Sequence, residues 1–215
     1  MKKIAVIGGT PVDSWMGSQL FLDTEIECVE VPLSKNPLEQ TYFQTLPQAE
    51  KQQFLWALLK KLKHQKIEGI LVYCNSLSAS IDFDALASEF QVPIVTPFQI
   101  YRKLAGAYQR IGVLAANAQG AAGIERELVQ ANPDLKVFSV TNLEWVTAVE
   151  AQVLPQLILE RYGLMETMTF FEKNRVEAIL IGCTHFPYFL KEYQQQSALI
   201  CINPAEKLRE TVIDR

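Results

Sequence analysis

Two stretches decide the fold: "IEGILVYCNSLSAS", Ile67 to Ser80, and "VEAILIGCTHFPYF", Val176 to Phe189. Each is an apolar run without polar alternation that ends on a cysteine and continues into small polar residues. They align without a gap at an offset of 109, cysteine on cysteine. Unbroken Val/Ile-rich runs suit strands buried on both faces, as in a parallel sheet covered by helices. The correspondence extends outward. "KIAVIGGT" starts on Lys3 and "RIGVLAAN" on Arg110, an offset of 107, and "VPIVTP" and "LICINP" end 107 apart, on Pro97 and Pro204. With "ECVEVPL" and "LKVFSV", eight strands are predicted. A period this long, present twice, predicts two similar halves rather than a solenoid.

Between the runs lie segments of helical period. "PQAEKQQFLWALLKKLKHQK" sets Phe54, Leu55, Leu58, Leu59 and Leu62 along one stripe, with Pro47 near its start. "AAGIERELVQANP" reads as a shorter helix closed before Pro133. In "TAVEAQVLPQLILERYGLMETMTFFEKN", Pro155 imposes a break or a kink and Gly163 an end. The expected class is α/β: two pseudo-symmetric, doubly wound domains, each a mostly parallel sheet flanked by helices. Residues 1–97 form the first, completed by a C-terminal helix over 204–215, and residues 98–203 the second. The active site is expected in the cleft between them.

The 215 residues are 49% hydrophobic and 20% charged, a balance able to bury a core. The net charge of −4 argues against a nucleic-acid surface, which carries a clustered basic footprint. "MKKIAVIGG" sets two lysines before an apolar run, as signal peptides do, but the run stops at Gly8. No later segment is long enough to span a bilayer. Four cysteines without CxxC spacing fit a reducing cytosol better than a disulfide scaffold or a zinc site. A cytoplasmic protein is expected, with a small-molecule partner, no nucleic acid and no membrane; a homodimer is compatible with this composition.

In open α/β sheets ligands collect at the carboxyl ends of the strands, where Cys74 and Cys183 both fall. Each is followed by residues able to open a helix, Asn75-Ser76 and Thr184-His185, whose backbone N–H groups would favour an anion or a thiolate. Free cysteine is more often a small buried hydrophobe, which is the reading for Cys28 and Cys201; the aligned repeat reverses it for Cys74 and Cys183. Two opposed thiols suit inversion of a carbon that bears hydrogen. One takes the proton from one face, the other delivers a proton to the opposite face, and no cofactor is needed.

The combination of "CNS" in the first half, "GCTHFP" in the second and Asp13-Ser14 after the first strand resembles the aspartate/glutamate racemase superfamily. "GCTH" before an aromatic residue and a proline is closest to the glutamate type; the aspartate type usually carries Glu where His185 stands. The resemblance implies a cofactor-independent amino-acid racemase of two α/β domains, without metal, acting on glutamate or aspartate. It implies Cys74 and Cys183 as acid/base residues, Asp13 assisting beside the first and His185 beside the second. Ser14, Asn75, Ser76 and Thr184 match positions that hold the amino acid's polar groups, where hydroxyl and amide donors fit an α-carboxylate whose charge rises toward an enolate-like transition state. Glu144, after the sixth strand, is a weak match to an assisting glutamate.

The sequence also departs from the glutamate type. Trp15-Met16 replaces small residues after Asp-Ser, so an altered side-chain pocket is expected. Pro37-Leu38-Glu39 stands where that type has Pro-Tyr-Gly, and Ala115, Ala116 and Asn117 where it has threonines. Taken alone, Asp13 is an ordinary turn or cap residue and His185 a helix-start residue. His64 belongs to a solvated face, and Gly8-Gly9 lacks the full phosphate-loop pattern. Cys74, Cys183 and His185 are metal-ligand types at no common zinc spacing. Two alternatives remain: a related cysteine-dependent decarboxylase or isomerase, and a non-catalytic small-molecule binding protein on the same scaffold.

Overall fold

The computed structural model describes residues 2–215. Eight strands form in chain order: β1 (Lys3–Gly8), β2 (Glu27–Pro32), β3 (Gly69–Tyr73), β4 (Ile94–Val95), β5 (Arg110–Ala115), β6 (Lys136–Thr141), β7 (Ala178–Ile181) and β8 (Ile200–Ile202). They coincide with the eight apolar runs and divide into two four-stranded sheets, ordered β2-β1-β3-β4 and β6-β5-β7-β8. Every pairing is parallel. The register repeats as well: Ile4 lies opposite Gly69 in the first sheet, and Ile111 opposite Ala178 in the second.

Twelve helices connect and cover the sheets. They are α1 (Pro11–Ser18), α2 (Pro37–Thr45), α3 (Gln48–His64), α4 (Asn75–Ser80), α5 (Phe83–Phe90), α6 (Pro97–Leu104), α7 (Ala118–Ala131), α8 (Leu143–Glu150), α9 (Pro155–Arg161), α10 (Leu164–Lys173), α11 (Leu190–Gln196) and α12 (Ala205–Ile213). Pro155 begins α9 after a break, and Gly163 takes a left-handed turn (φ +70°) between α9 and α10. The repeat reaches even the helix ends. Lys66 and Arg175, the residues before the two cysteine-bearing segments, both adopt positive φ. The amide three residues past each helix then bonds back to it, Ile67 N to Leu62 O and Val176 N to Phe171 O.

Alternate residues of a strand point to opposite faces, and the core sorts accordingly. Ala5, Ile7, Ile70 and Val72 face Leu55, Leu59 and Leu62 of α3. Phe54, at the edge of that helical stripe, is half exposed and packs edge-on against Phe43 of α2 at 5.4 Å. Leu114, Ile179 and Ile181 face Trp145, Phe171 and Phe189. The remaining faces meet in one cluster: Ile4, Val6, Leu71 and Tyr73 from the first sheet share it with Ile111, Val113 and Leu180 from the second. Ile124 and Leu128 of α7 and Leu208 and Val212 of α12 complete this layer. Each fully buried side chain there contributes roughly 1.5–3 kcal/mol of transfer free energy, so the two sheets are joined by packing and not only by a linker.

The α4–α7 contact sets how closely the halves approach. At Gly123 of α7 an added Cβ would run into Ala79 of α4 and the Phe98 ring. Gly123→Ala is therefore expected to destabilise the protein by about 1–3 kcal/mol through overpacking, measured as a lowered urea midpoint with unchanged slope.

Candidate active site

Strand β3 ends at Tyr73, and Cys74 in extended conformation starts α4. Strand β7 ends at Ile181, and Gly182 bonds back to the Leu114 carbonyl before Cys183. Here the halves differ. No α-helix opens after Cys183; Phe186–Tyr188 forms a single 3-10 turn. Pro187 disfavours helical backbone at the residue before it, and the fully buried Phe186 anchors the turn against Trp145.

Both cysteines nevertheless line one cavity, together with Asp13, Gln40, Asn75, Ser76, Ala116, Asn117, Thr184 and His185. The void is about 20 Å³, room for a single water. A wider groove of about 540 Å³ lies beyond α4, lined by Ser78, Asp82, Arg102 and Glu127. It contains neither cysteine, so the smaller cavity is the chemically equipped one.

Asp13 organises the second cysteine's side of the cavity. It is the third residue of α1 and closes a capping box with Thr10. Its Oδ2 accepts from the Gly9 and Thr10 amides at 3.1 and 3.2 Å. Its Oδ1 accepts from Thr184 Oγ1 at 2.6 Å and His185 Nδ1 at 2.9 Å. Carried on the first half, this carboxylate is thus bonded to the second cysteine's neighbours, whereas the resemblance implied a place beside Cys74. His185 Nδ1 also lies 3.8 Å from Cys183 Sγ, and its Nε2 lies 3.0 Å from Glu150 Oε1. Thr10 Oγ1 donates to the same Glu150 oxygen at 2.6 Å. Burial opposes protonation of His185, but the Asp13 charge and hydrogen bond, with the Cys183 and Glu150 contacts, outweigh it and raise its pKa well above the ordinary imidazole value.

The other cysteine has a different neighbourhood. Gln40 Nε2 donates to Cys74 Sγ at 2.8 Å, and Ser76 Oγ is 3.6 Å away. Burial, reinforced by the Asp13 charge, pushes the Cys74 thiol up to about 12, against smaller opposing contributions from the Leu77 amide and Ser76 hydroxyl. The closed cavity therefore holds Cys74 protonated. Tyr101 donates to Asn75 Oδ1 at 2.6 Å, while Asn75 Nδ2 is buried at the cavity wall without a partner.

Several residues lie elsewhere than expected. Ser14 is buried, but its hydroxyl turns to the Thr10 carbonyl and it is outside the cavity lining. Trp15 is 53% exposed, and Met16 packs against the central apolar cluster; neither lines the cavity, so the expected pocket change at these positions is not found. Glu144 is exposed in the first turn of α8, and the glutamate that meets the histidine is Glu150, at the end of that helix. Gln40, Gln44 and Thr10 are polar residues on or before helices, and nothing in their spacing marks them. Among the described residues, no three His, Cys, Asp or Glu side chains converge to hold a metal ion. No helix among them is long and apolar enough to cross a membrane. What the site offers is two thiols on one cavity, one beside an imidazole and the other beside amide and hydroxyl donors.

The profile of the Asp/Glu/Hydantoin racemase family matches residues 23–208. The chain belongs to this family. Glutamate racemase of Latilactobacillus sakei subsp. sakei is 25% identical over 171 residues, covering 74% of this chain and 60% of that one. Glutamate racemase of Limosilactobacillus reuteri is 27% identical over 165 residues, covering 74% and 61%. This racemase-family chain thus spans about 60% of the length of the curated relatives it matches. Among solved structures, glutamate racemase from Francisella tularensis in complex with D-glutamate superposes with a TM-score of 0.72 at 17% identity, covering 99% of this chain and 80% of that one. An aspartate racemase homologue from Pyrococcus horikoshii gives 0.68 at 18%, covering 100% and 98%. These likenesses concern the fold.

The buried charges make stability of this family member depend on pH. His185, its folded pKa raised, stabilises fully below the unfolded value of about 6.5, and the contribution is lost as pH rises through the higher folded value. Cys74 acts in the same direction from about pH 9 to about 12, where the unfolded chain gives up the proton and the folded one keeps it. Urea unfolding between pH 6.5 and 9 should show stability falling, and His185→Asn should flatten that slope. Asp13→Ala, which strips a buried pair of its carboxylate, should cost about 3–5 kcal/mol at pH 6.5.

Proposed function

We propose that this chain is a cofactor-independent amino-acid racemase of the cytoplasm, acting on glutamate or aspartate. Cys74 and Cys183 are its acid/base pair, on opposite walls formed by residues 1–97 with 204–215 and by residues 98–203. The observation that carries the reading is that both sulfurs line one cavity at equivalent strand ends, each with its own polar partner. A binding module has no need of two such thiols.

In the reaction, one sulfur as thiolate removes the α-proton, and the electron pair of the C–H bond moves into the carboxylate to give an enolate-like species. The other sulfur, as thiol, returns a proton to the opposite face, leaving the enantiomer and the two sulfurs with exchanged protonation. His185, next to Cys183, relays protons there and is held by Asp13 and Glu150. Cys74, protonated in the closed cavity, begins the cycle as the acid. Asn75 Nδ2 and Ser76 supply donors to the α-carboxylate, whose charge grows in the transition state, while the Thr184 hydroxyl, committed to Asp13, positions the Asp13 carboxylate. Asn75 Nδ2 is the clearer of the two donors, a buried amide still lacking an acceptor. Ser14 serves this site by fixing the turn that carries Asp13.

Incubation with a panel of D- and L-amino acids in deuterium oxide should show Cα–H exchange by NMR, strongest for an acidic amino acid. Cys74→Ala and Cys183→Ala should each lower racemisation by roughly 10²–10⁴-fold. With an analogue carrying a leaving group on Cβ, abstraction from one face suffices, so the two variants should retain elimination on opposite enantiomers. Racemisation at the wild-type rate in both variants would remove the cysteines from the mechanism.

A further inference from the structure

The cavity shared by the two cysteines has room for about one water, and Gln40 of α2 forms part of its wall. Gln40 Nε2 lies 2.8 Å from Cys74 Sγ and 3.2 Å from Ser76 Oγ. Gln44, one turn along, donates from Nε2 to Ser76 Oγ at 2.7 Å and accepts at Oε1 from Asn117 Nδ2 of the other half at 3.2 Å. Both side chains are buried. Gly9, just past β1, has no Cβ, and one placed there would occupy the volume of the Gln40 amide. The Lys51 ammonium bonds the Gln44 carbonyl and fixes the last turn of α2.

A sulfur that exchanges a proton with an amino acid needs Cα in van der Waals contact on its cavity side. Gln40 Nε2 now holds that place on Cys74. We infer that Gln40 and Gln44 form an amide latch over Cys74, and that a ligand carrying a carboxylate releases it. The chemistry follows from the donors. The Gln40 and Gln44 amides converge on Ser76, an uncharged hydroxyl, and the neighbouring Asn75 Nδ2, on a side chain 3% exposed, has no acceptor at all. No Lys or Arg lines the cavity. A carboxylate offers about four acceptor sites, enough to take the Gln44 and Asn75 amides and the Ser76 hydroxyl in place of Gln40, and charge-assisted hydrogen bonds are roughly twice as strong as neutral ones. Docking it turns Gln40 away from Cys74 and opens the space that Cα needs. The latch rests on the racemase reading for its ligand, but not for its existence.

The test is iodoacetamide alkylation of the native 215-residue chain, with modification at each cysteine followed by peptide mass spectrometry. Gln40→Ala should raise the rate at Cys74 at least ten-fold, and Gln44→Ala should raise it less. Cys28 and Cys201, outside the cavity and partly exposed, should keep their wild-type rates. If Gln40→Ala speeds all four thiols, the variant has loosened globally, and Gln44→Ala decides the matter. Unchanged Cys74 rates in that variant, or in both variants, would overturn the latch. D- or L-glutamate or aspartate should also show a KM several-fold lower in Gln40→Ala than in the wild type, because no latch has to be displaced. If no amino acid undergoes Cα–H exchange in the wild type while Gln40→Ala exposes Cys74 selectively, the racemase reading falls and the latch stands.

Discussion

The Asp13 carboxylate is the interaction on which the rest of the site depends. Buried, it takes four hydrogen bonds: two from backbone amides of its own half, and two from the Thr184 hydroxyl and His185 imidazole of the other. A buried charge is tolerated only when paired and hydrogen-bonded. The same contacts that satisfy Asp13 fix the β1–α1 turn, orient the imidazole beside Cys183 and tie the halves at the rim of the cavity. Glu150 repeats the arrangement on the far side of the ring, joined to Thr10. An imidazole gripped by carboxylates at both nitrogens keeps its proton, and that proton stands next to a thiol.

The halves share strand order, register and helix-end geometry, yet they part after the cysteines. In the first half the chain turns straight into a helix with Asn75 and Ser76 on its opening turn. In the second, Pro187 and the anchored Phe186 replace that helix with a 3-10 turn and bring His185 into the site. The symmetry therefore places two sulfurs on one cavity, and its local breakdown makes their surroundings unlike. That asymmetry suits a pair whose members exchange roles, since at any moment one must hold a proton and the other must lack it.

Much of the fold was legible because buried parallel strands leave unbroken Val/Ile runs, and all eight appear. β4 and β8 fall furthest short of their runs, β4 hemmed between Pro93 and Pro97. Cys74 and Cys183 stood out through the repeat. Residues placed by tertiary packing did not. Trp15 looked like a pocket residue because it follows Asp13-Ser14. In a helix, though, Asp13 and Gly17 share the inner face, and Trp15 points away. Glu144 and Glu150 occupy one helix, and composition gave no means of choosing which meets the histidine. Gln40 and Gln44 resemble ordinary helix-surface glutamines until α2 is seen lying across the mouth of the cavity.

The return of α12 to the first sheet bears on how the molecule is made. Ala205, Leu208 and Val212 share the central apolar cluster with Ile4, Val6, Leu71 and Tyr73, and Lys2 Nζ bonds the Val212 carbonyl. On the ribosome, β1 to β4 emerge first with α1 and α6, but α12, which shares the covering of one face of their sheet, comes only after the whole second half. At ordinary translation speeds that delay is on the order of ten seconds. Throughout it the nascent first sheet carries an apolar face that α1 and α6 cover only in part. Leu208 and Val212 of α12 then join the cluster that both sheets share.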